Sequence, residues 1–170
     1  IFVYIYNNII ESVNSNSDGF NALDYVDDVI IEDNTINIVR HPLLIDTVNH
    51  TSGEEDYNFT FLNNTFNSNQ VALIANTIGI KFDKNTVNNT MRFDNCRNLS
   101  FTDNKFNGGG YYSVLFRFSK TDDINFENNE FENPTGNGIV MDENTSSENK
   151  NFTIKNNMFQ TAHRGMVINR

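Results

Sequence analysis

Asn58-Phe59-Thr60-Phe61-Leu62-Asn63-Asn64-Thr65-Phe66 is the stretch whose reading decides the fold. Phe59 and Phe61 are separated by one residue, Asn64 follows, and Phe66 comes two residues later. Apolar residues at period two indicate a strand with one face buried. The template apolar-x-apolar-x-x-Asn-x-apolar recurs along the whole chain. Its copies are Val3, Ile5, Asn8, Ile10; Val29, Ile31, Asn34, Ile36; Phe59, Phe61, Asn64, Phe66; and Ile80, Phe82, Asn85, Val87. They continue with Leu99, Phe101, Asn104, Phe106; Ile124, Phe126, Asn129, Phe131; and Phe152, Ile154, Asn157, Phe159. Successive template asparagines lie 26, 30, 21, 19, 25 and 28 residues apart. A fixed phrase with elastic gaps is the mark of stacked repeats, whose insertions fall in loops.

A second strand-like run follows each phrase, at residues 19–22, 43–45, 71–73, 91–93, 114–118, 138–141 and 165–168. One repeat therefore reads strand, Asn corner, short strand, loop, strand, loop. No stretch carries a helical period long enough for a convincing helix. Composition agrees: the chain has 32 Asn, 15 Phe, 2 Pro and no Trp. Asparagine is a poor helix former and Phe suits strands. Asn-rich sequence otherwise suggests disorder, but disordered chains lack regular apolar spacing.

The repeated Asn, the flanking apolar pair and the Gly138-Ile139 type of second run together resemble the parallel β-helix repeat of the pectin-lyase-like superfamily. The resemblance covers residues 1–170 and rests on seven tandem copies. It implies an all-β, right-handed parallel β-helix solenoid of about seven turns, with Asn8, Asn34, Asn64, Asn85, Asn104, Asn129 and Asn157 stacked in a ladder. Such turns repeat at strand spacing, ~4.8 Å, giving a rod on the order of 34 Å long. Asparagine suits the corner because it tolerates left-handed backbone and its amide bonds neighbouring groups. Phe61, Phe82, Phe101, Phe126 and Ile154 are expected to form one inward column.

Length favours one domain spanning 1–170. A net charge of −10 argues against nucleic acid as partner, since phosphates call for a basic stripe. The single cysteine, Cys96, rules out an internal disulfide and a cysteine-clustered zinc site. No apolar run approaches the ~18 residues of a membrane span, so no insertion is expected. Residues 1–6 are apolar but short and lack a basic flank, unlike a signal peptide. With no initiator Met and no polar cap, the chain is expected to be a piece of a longer solenoid. A second copy or adjoining domains would then cover its ends. Light scattering tests this expectation: a monodisperse, soluble monomer would count against it.

Chemistry in such a repeat must sit on outward strand positions or in loops. Arg92 and Arg117 each lie seven residues before the next phrase, which predicts equivalent outward positions on adjacent turns. Two guanidinium groups one strand apart suit a carboxylate or sulfate of an acidic sugar, and are the candidate catalytic pair if the chain is an enzyme. Tyr111 and Tyr112, after the glycine run at 108–110, are candidates for stacking on sugar rings. Glu54, Glu55 and Asp56 in the longest insertion are the weak metal candidates, with calcium the one cofactor they suggest. No catalytic motif of the resembled superfamily is present: His163-Arg164-Gly165 is the nearest echo of a lyase phrase, with its order changed. Two functions stay open. One is a non-catalytic extracellular module of an adhesin, fibre or tailspike-type protein on a cell or virion surface, binding polysaccharide or cell-surface glycan. The other is part of a polysaccharide lyase or glycoside hydrolase acting on acidic polysaccharide.

Overall fold

The structure, a computed structural model, describes residues 2–23, 26, 28–46, 58–108, 114–119, 121–133, 135–141 and 150–168. All regular structure among them is β, in 21 strands forming three seven-stranded sheets. Sheet 1 contains Val3–Tyr6, Val29–Glu32, Phe59–Leu62, Ile78–Asp83, Arg97–Thr102, Asp122–Glu127 and Lys150–Lys155. Sheet 2 contains Ile9–Ser12, Thr35–Ile38, Thr65–Ser68, Thr86–Asn88, Lys105–Asn107, Glu130–Asn133 and Met158–Thr161. Sheet 3 contains Phe20–Leu23, Leu43–Asp46, Ala72–Ala75, Met91–Asp94, Val114–Ser119, Asn137–Met141 and Met166–Ile168. The chain visits sheets 1, 2 and 3 in turn and repeats this circuit seven times. Every pairing is parallel and joins a strand to its equivalent one circuit away, for example Phe61 to Phe82 and Phe82 to Phe101. The arrangement is consistent with a parallel β-helix.

Alternation sets the core. Phe59–Leu62 reads buried, half-buried, buried, half-buried, and so does Val29–Glu32. Register then stacks like on like. The rings of Phe61, Phe82, Phe101 and Phe126 form a column with successive centroids 4.4, 5.5 and 4.5 Å apart and planes within 21°. Phe106, Phe131 and Phe159 form a second column from sheet 2. The two meet edge to face, as at Phe101 and Phe106, 6.2 Å apart. Offset stacks within a column and tilted contacts between columns are the arrangements the ring quadrupole prefers. Ile154 takes its place at the end of the first column, only partly buried.

The Asn ladder runs through all seven circuits. At each rung the backbone N–H and the Nδ2 of one Asn both donate to the Oδ1 of the next. The backbone bonds measure 2.8–2.9 Å. The amide bonds measure 2.9–3.1 Å. From the second rung on, Nδ2 also donates to the carbonyl of the inward residue one circuit back: Asn64 to Ile31, Asn85 to Phe61, Asn129 to Phe101. Asn34, Asn64, Asn85, Asn104 and Asn129 are buried, so these bonds replace water that cannot reach the corner.

One expectation needs correcting. The left-handed backbone does not fall on the ladder Asn but on the residue before it: Asn7, Asp33, Asn63, Lys84, Asp103, Asn128 and Asn156, with φ of 51–57°. The ladder residue needs its amide aimed inward; its predecessor makes the bend. Asn and Asp tolerate that conformation best, which explains six of the seven, four Asn with Asp33 and Asp103, and leaves Lys84 as the exception. A second left-handed column, Asp28, Gly79, Asn98, Asp123 and Asn151, precedes the first inward residue of sheet 1 strands. Asparagine is therefore abundant for two separate reasons, ladder and bend.

At the corner from sheet 3 to sheet 1 the buried column is Thr77, Cys96 and Thr121. The Thr77 hydroxyl donates to the Ala75 carbonyl at 2.7 Å, and the Cys96 thiol takes the same role toward Asp94 at 3.4 Å. Burial pushes the Cys96 thiol up to about 12, slightly opposed by hydrogen bonds from the backbone around it. Thiolate is the reactive form, so Cys96 is expected to be inert to thiol reagents at pH 8 and to react only on unfolding. Labelling with a disulfide-exchange reagent with and without urea checks this; rapid labelling of the folded chain would contradict the packing.

Candidate functional site

With the inner faces filled, chemistry is left to the outward columns, and each sheet carries a different one. On sheet 3, Arg92 is in register with Arg117 on one side and Leu73 on the other, so the two arginines occupy equivalent positions on adjacent circuits as their spacing predicts. The Arg92 guanidinium lies 3.7 Å from the Asp94 carboxylate, and both groups are well exposed. An exposed pair of this kind contributes ~0–1 kcal/mol, so a ligand anion could displace Asp94 at little cost. For Arg117 the structure describes the strand position alone.

Tyr111, Tyr112, Glu54, Glu55, Asp56 and His50 lie outside the described residues. His41 and His163 do not converge. His41 Nδ1 is 2.6 Å from the Val71 carbonyl, which can only accept, so this nitrogen carries the proton and ties two circuits together. His163 is exposed in the connection before Met166–Ile168. Lys81 pairs with Asp83 at 3.4 Å, and Lys105 sits 3.7 Å from Glu130 and 3.8 Å from Glu132. Lys84 occupies a left-handed bend. Among the described residues no cluster of three or more His, Cys, Asp or Glu side chains is placed to hold a metal ion.

Sheet 2 carries a feature that sequence reading missed: a second, outward Asn column. Asn107 Nδ2 donates to Asn88 Oδ1 at 2.7 Å, Asn88 to Asn67, Asn67 to Asn37 at 2.7 Å, and Asn37 to the Glu11 carboxylate at 2.9 Å. This outer rail donates toward the first circuit, whereas the inner ladder donates toward the last. The rail stops at the next circuit because Glu132 stands in register with Asn107 and a carboxylate cannot donate; Asn107 Oδ1 is buried without a hydrogen bond. The signal was present as Asn-x-apolar-Asn in four consecutive copies, at 34–37, 64–67, 85–88 and 104–107. A groove of about 360 Å³ lies along the first circuits of this rail, lined by Glu11, Asn37 and Asn67 together with residues that follow them.

On sheet 1 the first circuit is aromatic outside: Phe2, Tyr4 and Tyr6 are each more than half exposed, and the two Tyr rings lie 5.8 Å apart and nearly parallel. The Tyr4 hydroxyl donates to Glu32 at 2.6 Å. That hydrogen bond, with smaller contributions from burial and the nearby negative charge, raises the Tyr4 phenol from 10.0 to about 12. A phenol raised in the folded state contributes stability that is present below pH 10 and lost as pH rises through 12. Ultraviolet titration is expected to show one tyrosine ionising late, and Glu32→Gln to return it toward its ordinary value. Compared with models of protein families, with curated proteins and with solved structures, the chain matches none.

Proposed function

We propose that this chain is a non-catalytic, right-handed parallel β-helix module of the pectin-lyase-like kind, displayed on a cell or virion surface as part of an adhesin, fibre or tailspike-type protein and engaging polysaccharide or cell-surface glycan. The observation that carries the reading is the division of labour between faces. Ladder and ring columns continue through the circuits inside, while the outer columns present amides, hydroxyls, aromatic rings and paired charges at strand spacing. Repeating polar groups on a rigid support suit a repeating polymer better than a single reacting bond. Fold by itself does not fix function, so the site must carry the argument.

The register of Arg92 with Arg117 favours a second reading, part of a polysaccharide lyase or glycoside hydrolase acting on an acidic chain. There the two guanidinium groups would neutralise a uronate carboxylate and ease removal of the neighbouring ring proton. One pair of assays separates the readings. A glycan array is expected to show binding without turnover. Release of unsaturated uronate from pectate, alginate or glycosaminoglycan, followed by its ultraviolet absorbance and abolished in Arg92→Ala, would replace the first reading by the second.

A further inference from the structure

Resting on the glycan reading, we propose that the groove on the outer corner of sheet 2 is a binding site for a neutral oligosaccharide lying along the stack of circuits. Two rows line it. One is the in-register set Glu11, Asn37 and Asn67; the other, two residues further along the chain and just past the strand ends, is Val13, Val39 and Asn69. The in-register row repeats once per circuit, at ~4.8 Å; the second row contributes one residue per circuit as well. The rows run along the axis, so the groove accepts an extended polymer rather than a compact molecule.

The chemistry of the rows selects the ligand. An amide has two N–H donors and two acceptor lone pairs. Asn67 spends one donor on Asn37 and one lone pair on Asn88; Asn37 spends one on Glu11 and one on Asn67. Each keeps one donor and one acceptor, held rigidly by the rail. A donor–acceptor pair is the complement of a sugar hydroxyl, which both donates and accepts. Val13 and Val39 supply apolar surface against which the C–H face of a pyranose ring can lie, the mix of apolar lining and few fixed polar groups that small-molecule sites show. The Glu11 carboxylate anchors the rail, and the chain carries a net charge of −10, so a uronate in this groove would meet like charge. A peptide strand would seek a backbone edge, and this face offers side-chain amides instead. The ligand class is thus a neutral hexose polymer, unlike the acidic chain that suits Arg92 and Arg117.

The test is calorimetric titration of the full chain with cellohexaose, mannohexaose and a hexagalacturonate. Val39→Arg places a long side chain in the groove, and Val13→Arg does the same from a position that is almost fully exposed and cannot disturb the core. Protection of the Cys96 thiol reports that each variant is folded. The expected result is binding of a neutral hexamer in preference to the uronate, weakened at least tenfold in both arginine variants. Neutral binding unchanged in folded Val13→Arg and Val39→Arg overturns the groove. Preference for hexagalacturonate, lost in Arg92→Ala, overturns the groove while sustaining the glycan reading. Binding of none of the three hexamers counts against both.

Discussion

Asn64→Ala is expected to destabilise the chain by roughly 2–6 kcal/mol, because it strands two buried groups at about 1–3 kcal/mol each. The Asn34 backbone N–H loses its acceptor, Asn64 Oδ1 at 2.9 Å, and the Ile31 carbonyl loses its donor, Asn64 Nδ2 at 2.7 Å. Asn34 Nδ2 and Asn85 Oδ1 each lose one of their bonds as well. Water cannot replace these partners, since Asn34, Asn64 and Asn85 are all buried. From sequence alone, one rung looks like one hydrogen-bonded side chain; the structure shows a side chain in four hydrogen bonds, so the effect is larger. Asn67→Ala in the outer rail is the natural comparison. Its bonds are only partly buried, so water can reach the groups left behind, and the change should cost less. Urea unfolding of both variants checks the contrast. Equal midpoints would mean that the inner ladder carries no more than the outer one.

Phe101→Ala is expected to cost about 3–5 kcal/mol, the range for removing a large buried ring. Phe101 is fully buried between Phe82 and Phe126, with Phe93 and Phe106 edge-on at 5.4 and 6.2 Å. The loss has two parts, the transfer of the ring from water and the cavity left behind. Collapse around that cavity is hindered, because the neighbouring rings are fixed by strand register. Phe159, half-buried in the last circuit, has fewer neighbours to lose, and its truncation should be milder. Against a typical total of about 5–15 kcal/mol, either Asn64→Ala or Phe101→Ala removes a large share of stability. Chemical denaturation followed by circular dichroism measures both, and a shift of the Phe101 variant below that of the Phe159 variant would refute the central role of the column.

Much of this was legible before any coordinates, for a physical reason. Val29, Phe59, Ile80, Leu99 and Ile124 sit at equal distances from their template Asn, and a strand converts that spacing directly into a facing side. The relation of Arg92 to Arg117 was legible in the same way, by counting back from the next phrase. The outer rail was missed although its pattern was written plainly at 34–37 and its successors. Asn37 and Asn67 follow the ladder residue by three, and reading one conspicuous Asn per repeat hid the second. The double role of Asn at bends and rungs was hidden too, because residue type alone does not separate a backbone preference from a side-chain one.

The sequence by itself determined the strand phrases, their sevenfold repetition, which residues face inward and which asparagines stack. These are local and periodic properties, and alternation along a strand needs no knowledge of what lies across the sheet. Only the tertiary structure decided which groups meet across circuits. Insertions of unequal length separate Asn8 from Asn34 and Asn64 from Asn85, so contact between them depends on parallel register and not on sequence distance. The same closure placed Asn37 above Glu11, left Asn107 without a donor, buried Cys96 beside the Asp94 carbonyl and opened the groove along Glu11, Asn37 and Asn67. A hydrogen bond requires atoms within about 3 Å of each other. Side-chain meetings of that kind are settled by how neighbouring circuits stack, so they could be seen only once the circuits were in place.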